Sequence, residues 1–64
     1  MKVNGTSITL DKSQTLQEFL KSQGYEISTV AVELDGEIVP KSEYNRRIVC
    51  EESALEIVRF VGGG

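Results

Sequence analysis

A single short amphipathic helix among several strand-like segments is the feature that most restricts the folds open to this chain. Thr15 and Glu18 fit a capping box, in which each side chain accepts a hydrogen bond from the other residue's backbone amide. Leu16, Phe19 and Leu20 follow at positions i, i+3 and i+4, so their side chains form one apolar stripe. We predict a helix of about two turns whose stripe covers one face of a sheet.

Short turn signals divide the rest of the chain into predicted strands. Gly24 fits the left-handed C-terminal cap of the helix, with Tyr25 packing back on Leu20 as in a Schellman ending. Asn4-Gly5 and Asp35-Gly36 are two-residue hairpin signals. The strand-like segments alternate in hydrophobicity or are rich in β-branched residues, and they are Val3, 6–10, 30–34, 37–39, 47–50 and 54–61.

These elements predict an α+β domain, because one helical stripe protects only one face of a mixed sheet. A chain of 64 residues buries only roughly 60% of the surface that its unfolded form exposes. That leaves little room for an enclosed pocket, so we do not expect a self-sufficient enzyme. We expect one domain over residues 1–61, followed by a flexible triglycine tail at 62–64.

Composition excludes several classes of partner. Seven Lys+Arg against ten Asp+Glu give a formal net charge of −3, and the basic residues are dispersed, whereas nucleic-acid binding relies on clustered Lys and Arg. No run approaches the roughly 18 apolar residues of a membrane span, and the N-terminal segment lacks the apolar core of a secretory signal. We therefore expect a cytoplasmic protein that binds other proteins and neither nucleic acid nor membrane.

Residues that carry catalysis or bind metals are scarce. The chain has no His to serve as a general base. Acidic residues at 35, 37, 51 and 52 fall in turns, where charges are usually only solvated, so we expect no metal site and no catalytic residue. Cys50 is either a reactive thiol or a small buried apolar side chain, and we favour the second interpretation. As the single cysteine it forms no internal disulfide.

The last predicted strand has two faces of different character. Leu55 and Ile57 share one face, and we place them inward because Glu56 on the other face is costly to bury. Val58 and Phe60 then lie exposed together on the open face, with Val61 beside them. We predict that these three residues bind a partner protein, the alternative being the ordinary exposure of isolated apolar side chains.

The triglycine Gly62-Gly63-Gly64 is the most informative motif. At an average glycine usage of ~7%, three in succession at a given place arise by chance only about three times in ten thousand. A frayed end is one explanation. A strand that runs directly into residues without side chains instead suggests a thin stalk whose terminal carboxylate enters a narrow channel. A carboxylate becomes a good electrophile once ATP adenylates it, and the chain has no phosphate-binding loop of its own, so a partner must bind the nucleotide.

With these motifs the chain resembles the sulfur carrier proteins of thiamin biosynthesis, which are small relatives of ubiquitin with the β-grasp fold. The resemblance spans nearly the whole chain and rests on the N-terminal hairpin and on segments 15–20 (TLQEFL), 30–40 (VAVELDGEIVP) and 56–64 (EIVRFVGGG). It implies a mixed sheet of four to five strands packed on one main helix. Members often have an acidic residue, Gly and Asp before the last strand, where this chain has Glu52-Ser53-Ala54.

The resemblance also implies a function. An adenylyltransferase related to the ubiquitin-activating enzymes uses ATP to adenylate the carboxylate of Gly64, and a desulfurase system supplies sulfur that converts it to a thiocarboxylate. Thiazole synthase then takes the sulfur for the thiazole ring of thiamin. The carrier itself binds no cofactor. The alternatives are a carrier similar to the small subunit of molybdopterin synthase, a ubiquitin-like modifier joined through Gly64 to lysines, and a plain interaction module.

Overall fold

The structure is a computed structural model that describes residues 1–60. Val61 and the predicted triglycine tail at 62–64 lie outside the described residues. One helix, α1 at Leu16–Ser22, and seven strands make up the regular structure of the described part. The strands are β1 Lys2–Val3, β2 Thr6–Ser7, β3 Gln14–Thr15, β4 Val30–Leu34, β5 Glu37–Ile38, β6 Ile48–Val49 and β7 Ala54–Arg59. Short 3-10 turns lie at Ile27–Thr29 and Lys41–Glu43.

Five of the strands form one mixed sheet in the order β2-β1-β7-β4-β5. The pair β1·β7 is parallel and the other pairs are antiparallel. The last strand therefore occupies the centre of the sheet, with the N-terminal hairpin on one side and the β4–β5 hairpin on the other. A mixed five-stranded sheet packed on one helix is the β-grasp arrangement that the resemblance implies.

The helix begins and ends as the sequence predicts. The Thr15 hydroxyl accepts from the Glu18 amide at 3.0 Å, and the Glu18 carboxylate accepts from the Thr15 amide at 2.9 Å. At the other end Gly24 has a positive φ of 84°. The Tyr25 amide donates to the Leu20 carbonyl at 2.9 Å, and the Gly24 amide donates to the Lys21 carbonyl at 3.1 Å. These two bonds are those of a Schellman motif.

The core lies between α1 and the inner face of the sheet. The predicted helical stripe is fully buried, as are alternate residues of the two central strands. Val39, Tyr44 and Val49, which lie outside the helix and the two central strands, also belong to the core. The core residues are Met1, Leu16, Phe19, Leu20, Val30, Val32, Leu34, Val39, Tyr44, Val49, Leu55 and Ile57.

Several strands are shorter than the sequence predicts, and the last one, predicted over residues 54–61, ends at Arg59. The strand predicted over residues 6–10 is limited to Thr6–Ser7, although Ile8 still exchanges two backbone hydrogen bonds with Met1. Leu10 does not pair with β1, and its amide donates to the Glu51 carboxylate at 2.6 Å. Segment 47–50 forms β6, but it pairs with β3 in a separate two-stranded sheet that the sequence did not predict.

The interpretation of Cys50 as a buried apolar side chain is wrong. Its side chain is only partly buried. Its Sγ lies 3.2 Å from the Glu52 carboxylate and 3.6 Å from the Ser53 hydroxyl, which accepts from the Cys50 amide at 2.9 Å. Ser53, not Cys50, is the buried residue of this turn. The buried Ser53 hydroxyl needs hydrogen-bond partners, and it finds them in the amide and the thiol of Cys50. The thiol therefore lies in a polar turn.

Candidate functional site

Strand β7 separates its side chains between core and solvent in the way the sequence predicts. Leu55 and Ile57 are 1% and 7% exposed, whereas Val58 and Phe60 are 60% and 53% exposed. Alternate residues of a strand point to opposite faces, so Val58 projects from the face of the sheet that α1 does not cover. Phe60 directly follows β7 and keeps a backbone hydrogen bond to Thr29, which continues the alternation by one residue. The structure therefore places both predicted partner-binding residues on one open face.

Both edges of β7 are paired, which fixes its position. On one side it forms five register pairs with β4, from Val30↔Arg59 to Leu34↔Leu55. On the other side the Asn4 side chain extends the short parallel ladder of β1. Its amide nitrogen donates to the Ile57 carbonyl at 3.2 Å, and its amide oxygen accepts from the Ile57 backbone at 2.7 Å. The Asn4 side chain thus makes the two hydrogen bonds to β7 that the backbone of a further strand residue would make.

Side-chain contacts and a backbone hydrogen bond hold the end of β7. The guanidinium carbon of Arg59 lies 4.8 Å from the centre of the Tyr25 ring, and the Lys41 ammonium lies 5.5 Å from the centre of the Phe60 ring. Both distances suit cation–π contacts. The Phe60 amide also donates to the Thr29 carbonyl at 2.7 Å. Segment 61–64 therefore starts from an anchored residue.

The open face holds a further apolar residue that the sequence analysis missed. Ile38 of β5 is 77% exposed, and its register partner Glu33 lies on the same face as Val58. The burial of Val39 after Ile38 is a signal that would have indicated this, because neighbouring residues of a strand face opposite ways. We define the open face by its apolar members Ile38, Val58 and Phe60.

Two carboxylates lie within the open face. Glu33 of β4 and Glu56 of β7 are register partners on neighbouring strands, and both are exposed. Like charges directly opposite each other in a sheet weaken the pairing. Neither carboxylate takes part in an ion pair with another residue of 1–60. The open face thus carries Val58 and Phe60 toward the end of β7, and a row across its middle that consists of Ile38, Glu33 and Glu56.

Other classes of site receive no support from the described part of the chain. Within residues 1–60 no group of three or more His, Cys, Asp or Glu side chains is placed to hold a metal ion. No helix in the same range is long and apolar enough to cross a membrane. The predicted attachment residue Gly64, the tail residues Gly62 and Gly63, and the predicted contact residue Val61 lie outside the described residues.

The chain is similar in sequence to known proteins over its whole length. Residues 1–64 match the model of the ThiS family. The sulfur carrier protein ThiS of Bacillus subtilis is 37% identical over 65 residues, which cover all of this chain and 98% of that protein. A thiazole synthase of Paramagnetospirillum magneticum is 42% identical over 62 residues, which cover 97% of this chain and only 19% of that protein.

A solved structure agrees with the sequence matches. The crystal structure of the thiamine biosynthesis protein ThiS from Geobacter metallireducens superposes with a TM-score of 0.82 at 32% identity, covering 98% of this chain and 96% of that one. The β-grasp fold is therefore shared over nearly the full length of both chains. Since the family match extends over residues 1–64 and a full-length carrier is 37% identical, this chain belongs to the ThiS family.

Proposed function

We propose that this chain is a sulfur carrier that delivers sulfur for the thiazole ring of thiamin as a thiocarboxylate on Gly64. The observation that carries the proposal is the position of β7. This central strand is hydrogen-bonded along both edges and anchored at Phe60, and the sequence continues from Phe60 into Val61 and three glycines. A rigid strand that leads into glycines suits a protein whose terminal carboxylate reacts in another protein's active site.

The proposed chemistry has two steps. In the first, an oxygen of the Gly64 carboxylate attacks the α-phosphate of ATP, pyrophosphate leaves, and an acyl-adenylate forms. In the second, sulfur at the oxidation level of hydrosulfide attacks the carbonyl carbon. AMP then leaves with the oxygen that had attacked the phosphate, and a thiocarboxylate remains. Glycine suits both steps, because no Cβ atom shields the carbonyl carbon from the nucleophile.

The chain's own role is to present the carboxylate, while partners supply the catalysis. The sequence has no phosphate-binding loop, so we assign the nucleotide to an adenylyltransferase related to the ubiquitin-activating enzymes. We assign the sulfur supply to a desulfurase system. These reactions use ATP and reduced sulfur, and we place them in the cytoplasm.

Thiazole synthase is the proposed acceptor of the sulfur. In the thiazole synthase of Paramagnetospirillum magneticum, a segment similar to 97% of this chain accounts for 19% of the protein. A carrier and an acceptor that occur in one polypeptide are brought together at high effective concentration, which is useful only if the two act on the same sulfur. This similarity supports the thiamin pathway over the molybdopterin alternative.

Pyrophosphate release tests the proposal. We expect the protein, mixed with its adenylyltransferase and ATP, to stimulate pyrophosphate release, and we expect a variant that lacks Gly64 not to do so. The control variant is Ile48→Ala. It removes an apolar side chain of β6 that is 56% exposed and should react like the wild type. Equal stimulation by the variant that lacks Gly64 would contradict the proposal.

Pathway assays separate the related alternatives. Deletion of the gene should create a requirement for thiamin and leave molybdenum enzymes active. Loss of molybdenum-enzyme activity with thiamin synthesis intact would assign the carrier to the pterin pathway. Conjugates of higher mass that disappear on deletion of Gly64 would assign it to protein modification.

A further inference from the structure

Three cationic side chains converge where β7 ends. Lys21 and Lys41 line an open groove of about 600 Å³ beside α1 and the 3-10 turn Ile27–Thr29. Tyr25 forms part of the wall of this groove, and Arg59 stacks on the Tyr25 ring. The basic rim, as we call it, consists of Lys21, Lys41 and Arg59.

No carboxylate of residues 1–60 forms an ion pair with the basic rim. The ion pairs of that range belong to the N-terminal ammonium, Arg46 and Arg47. Glu26 also lines the groove but makes no ion pair there. The rim holds three of the seven Lys and Arg residues of a chain whose net charge is −3. Positive charge is therefore concentrated at this place against the overall balance.

Two acidic residues at the β4–β5 turn lie at the end of the large sheet away from the rim. Antiparallel pairing sets Arg59 opposite Val30 at the start of β4, and Leu55 opposite Leu34 at its end. The turn that carries Asp35 and the following Glu37 therefore lies at the far end of β7. The basic rim thus lies at the end of β7 where the chain continues toward Gly64, opposite the end that carries Asp35.

We propose that the basic rim docks against an acidic surface of the enzyme that adenylates Gly64. The proposal rests on the proposed function. Gly64 is four residues beyond Phe60, and four extended residues span at most about 14 Å. An enzyme that holds the Gly64 carboxylate in its active site thus brings its surface close to Lys41, which lies over the Phe60 ring, and to Arg59, which precedes Phe60. Complementary charge at such a place raises the association rate and selects the partner.

The arrangement of the rim suits a protein surface better than a nucleotide. Two of its cations, those of Lys41 and Arg59, lie over aromatic rings, and all three residues are exposed, with Lys21 and Lys41 on the open groove. In phosphate sites, by contrast, backbone amides and a cation point toward one phosphate group, usually from a glycine-rich loop. A surface rich in Asp and Glu matches dispersed, exposed cations.

Charge reversal distant from Gly64 tests the rim. We compare Lys21→Glu/Lys41→Glu with Lys2→Glu/Lys12→Glu, which makes the same change in net charge outside the groove. KM for the carrier in adenylation should rise about tenfold or more in the rim variant at low ionic strength, with kcat nearly unchanged. The increase should shrink as salt is added, because salt screens exposed charges. The control should stay within about twofold of the wild type.

Two further measurements keep the interpretation unambiguous. Lys21→Gln/Lys41→Gln removes the charges without reversing them and should give an intermediate KM, and melting curves verify that each variant is folded. Similar KM values for the rim and control variants, with the wild type adenylated, would overturn the docking proposal alone. An unreactive wild type would instead contradict the proposed function. Saturable binding of ATP to the isolated carrier that Lys21→Glu/Lys41→Glu abolishes would reassign the rim to a nucleotide.

Discussion

Asn4 contributes to the fold in two ways at once. Its φ of 51° forms the left-handed turn with Gly5, and its side chain pairs with the Ile57 backbone. The turn is predictable from the local sequence, because Asn-Gly is a strong hairpin signal. The side-chain pairing is not, since it joins residues 53 positions apart and depends on where β7 enters the sheet.

Substitutions of Asn4 separate these two contributions. Asn4→Gly retains the turn and loses both side-chain hydrogen bonds, which are worth roughly 1 kcal/mol each. Asn4→Ala loses the same bonds and adds about 1–2 kcal/mol for a side chain in the left-handed region. We expect the free energy of unfolding in urea to fall in the order wild type, Asn4→Gly, Asn4→Ala. Equal stability of wild type and Asn4→Gly would show that the side-chain bonds contribute nothing.

Tyr44 links stability to alkaline pH. Its ring is buried in the core, and burial raises the pKa of its phenol above the usual value of 10, while a hydrogen bond with the Val32 backbone opposes the shift. The unfolded chain therefore loses this proton at a lower pH than the folded chain. The contribution to stability is complete below about pH 10 and is lost as the pH rises toward the folded-state pKa.

Tyr44→Phe tests this linkage. The variant should lose about 1 kcal/mol at neutral pH with the hydroxyl's hydrogen bond, and its stability should fall less steeply than that of the wild type above pH 10. Urea unfolding of both proteins between pH 8 and about pH 11 gives the two slopes. Parallel slopes would mean that Tyr44 does not titrate differently in the two states.

At the scale of elements, α1 depends on its ends. Seven residues are too few for a stable isolated helix, so capping and packing must hold it. Thr15→Ala removes the hydroxyl that accepts from Glu18 and should cost about 0.5–2 kcal/mol, measured by thermal or urea unfolding. Thr15→Ser keeps the hydroxyl and is the matched control. A loss of stability in Thr15→Ser as large as that in Thr15→Ala would assign the effect to the Thr15 methyl group and to β3 instead.

The open face of β7 is the element that we expect to contact partners. Phe60→Ala should raise KM for the carrier in adenylation about tenfold or more, because buried aromatic side chains dominate protein interfaces. Ile48→Ala is the control, since Ile48 is 56% exposed and Phe60 53% exposed, but Ile48 belongs to the smaller sheet. Unchanged KM for Phe60→Ala would show that the exposed aromatic ring is an ordinary surface residue.

Elements differ in how far the sequence predicts them. The capping box, the Schellman ending and both hairpin turns involve residues at most six apart, and all were predicted from local patterns. The β3·β6 pair was not, because Gln14 and Val49 lie far apart in sequence and carry no mutual signal. The inward placement of Leu55 and Ile57 was predicted, because burying Glu56 has a known cost.

At the scale of the whole molecule, the two surfaces near the end of β7 have different origins in the sequence. The open face could be predicted in part, since Val58 and Phe60 are two residues apart in the strand predicted over residues 54–61. The basic rim could not, because Lys21, Lys41 and Arg59 come from three separate parts of the chain. Only the tertiary structure brings these cations, which are dispersed in the sequence, together near Phe60.

The central claim is that sulfur is carried on the Gly64 carboxylate and not on the thiol of Cys50, the single cysteine of the chain. Intact-mass spectrometry after incubation with the adenylyltransferase, ATP and the sulfur donor tests the claim most directly. The account predicts that one oxygen atom is replaced by one sulfur atom in both the wild type and Cys50→Ser, with the change located in the C-terminal peptide. An unchanged mass in the wild type, or a gain of sulfur that Cys50→Ser abolishes, would contradict it.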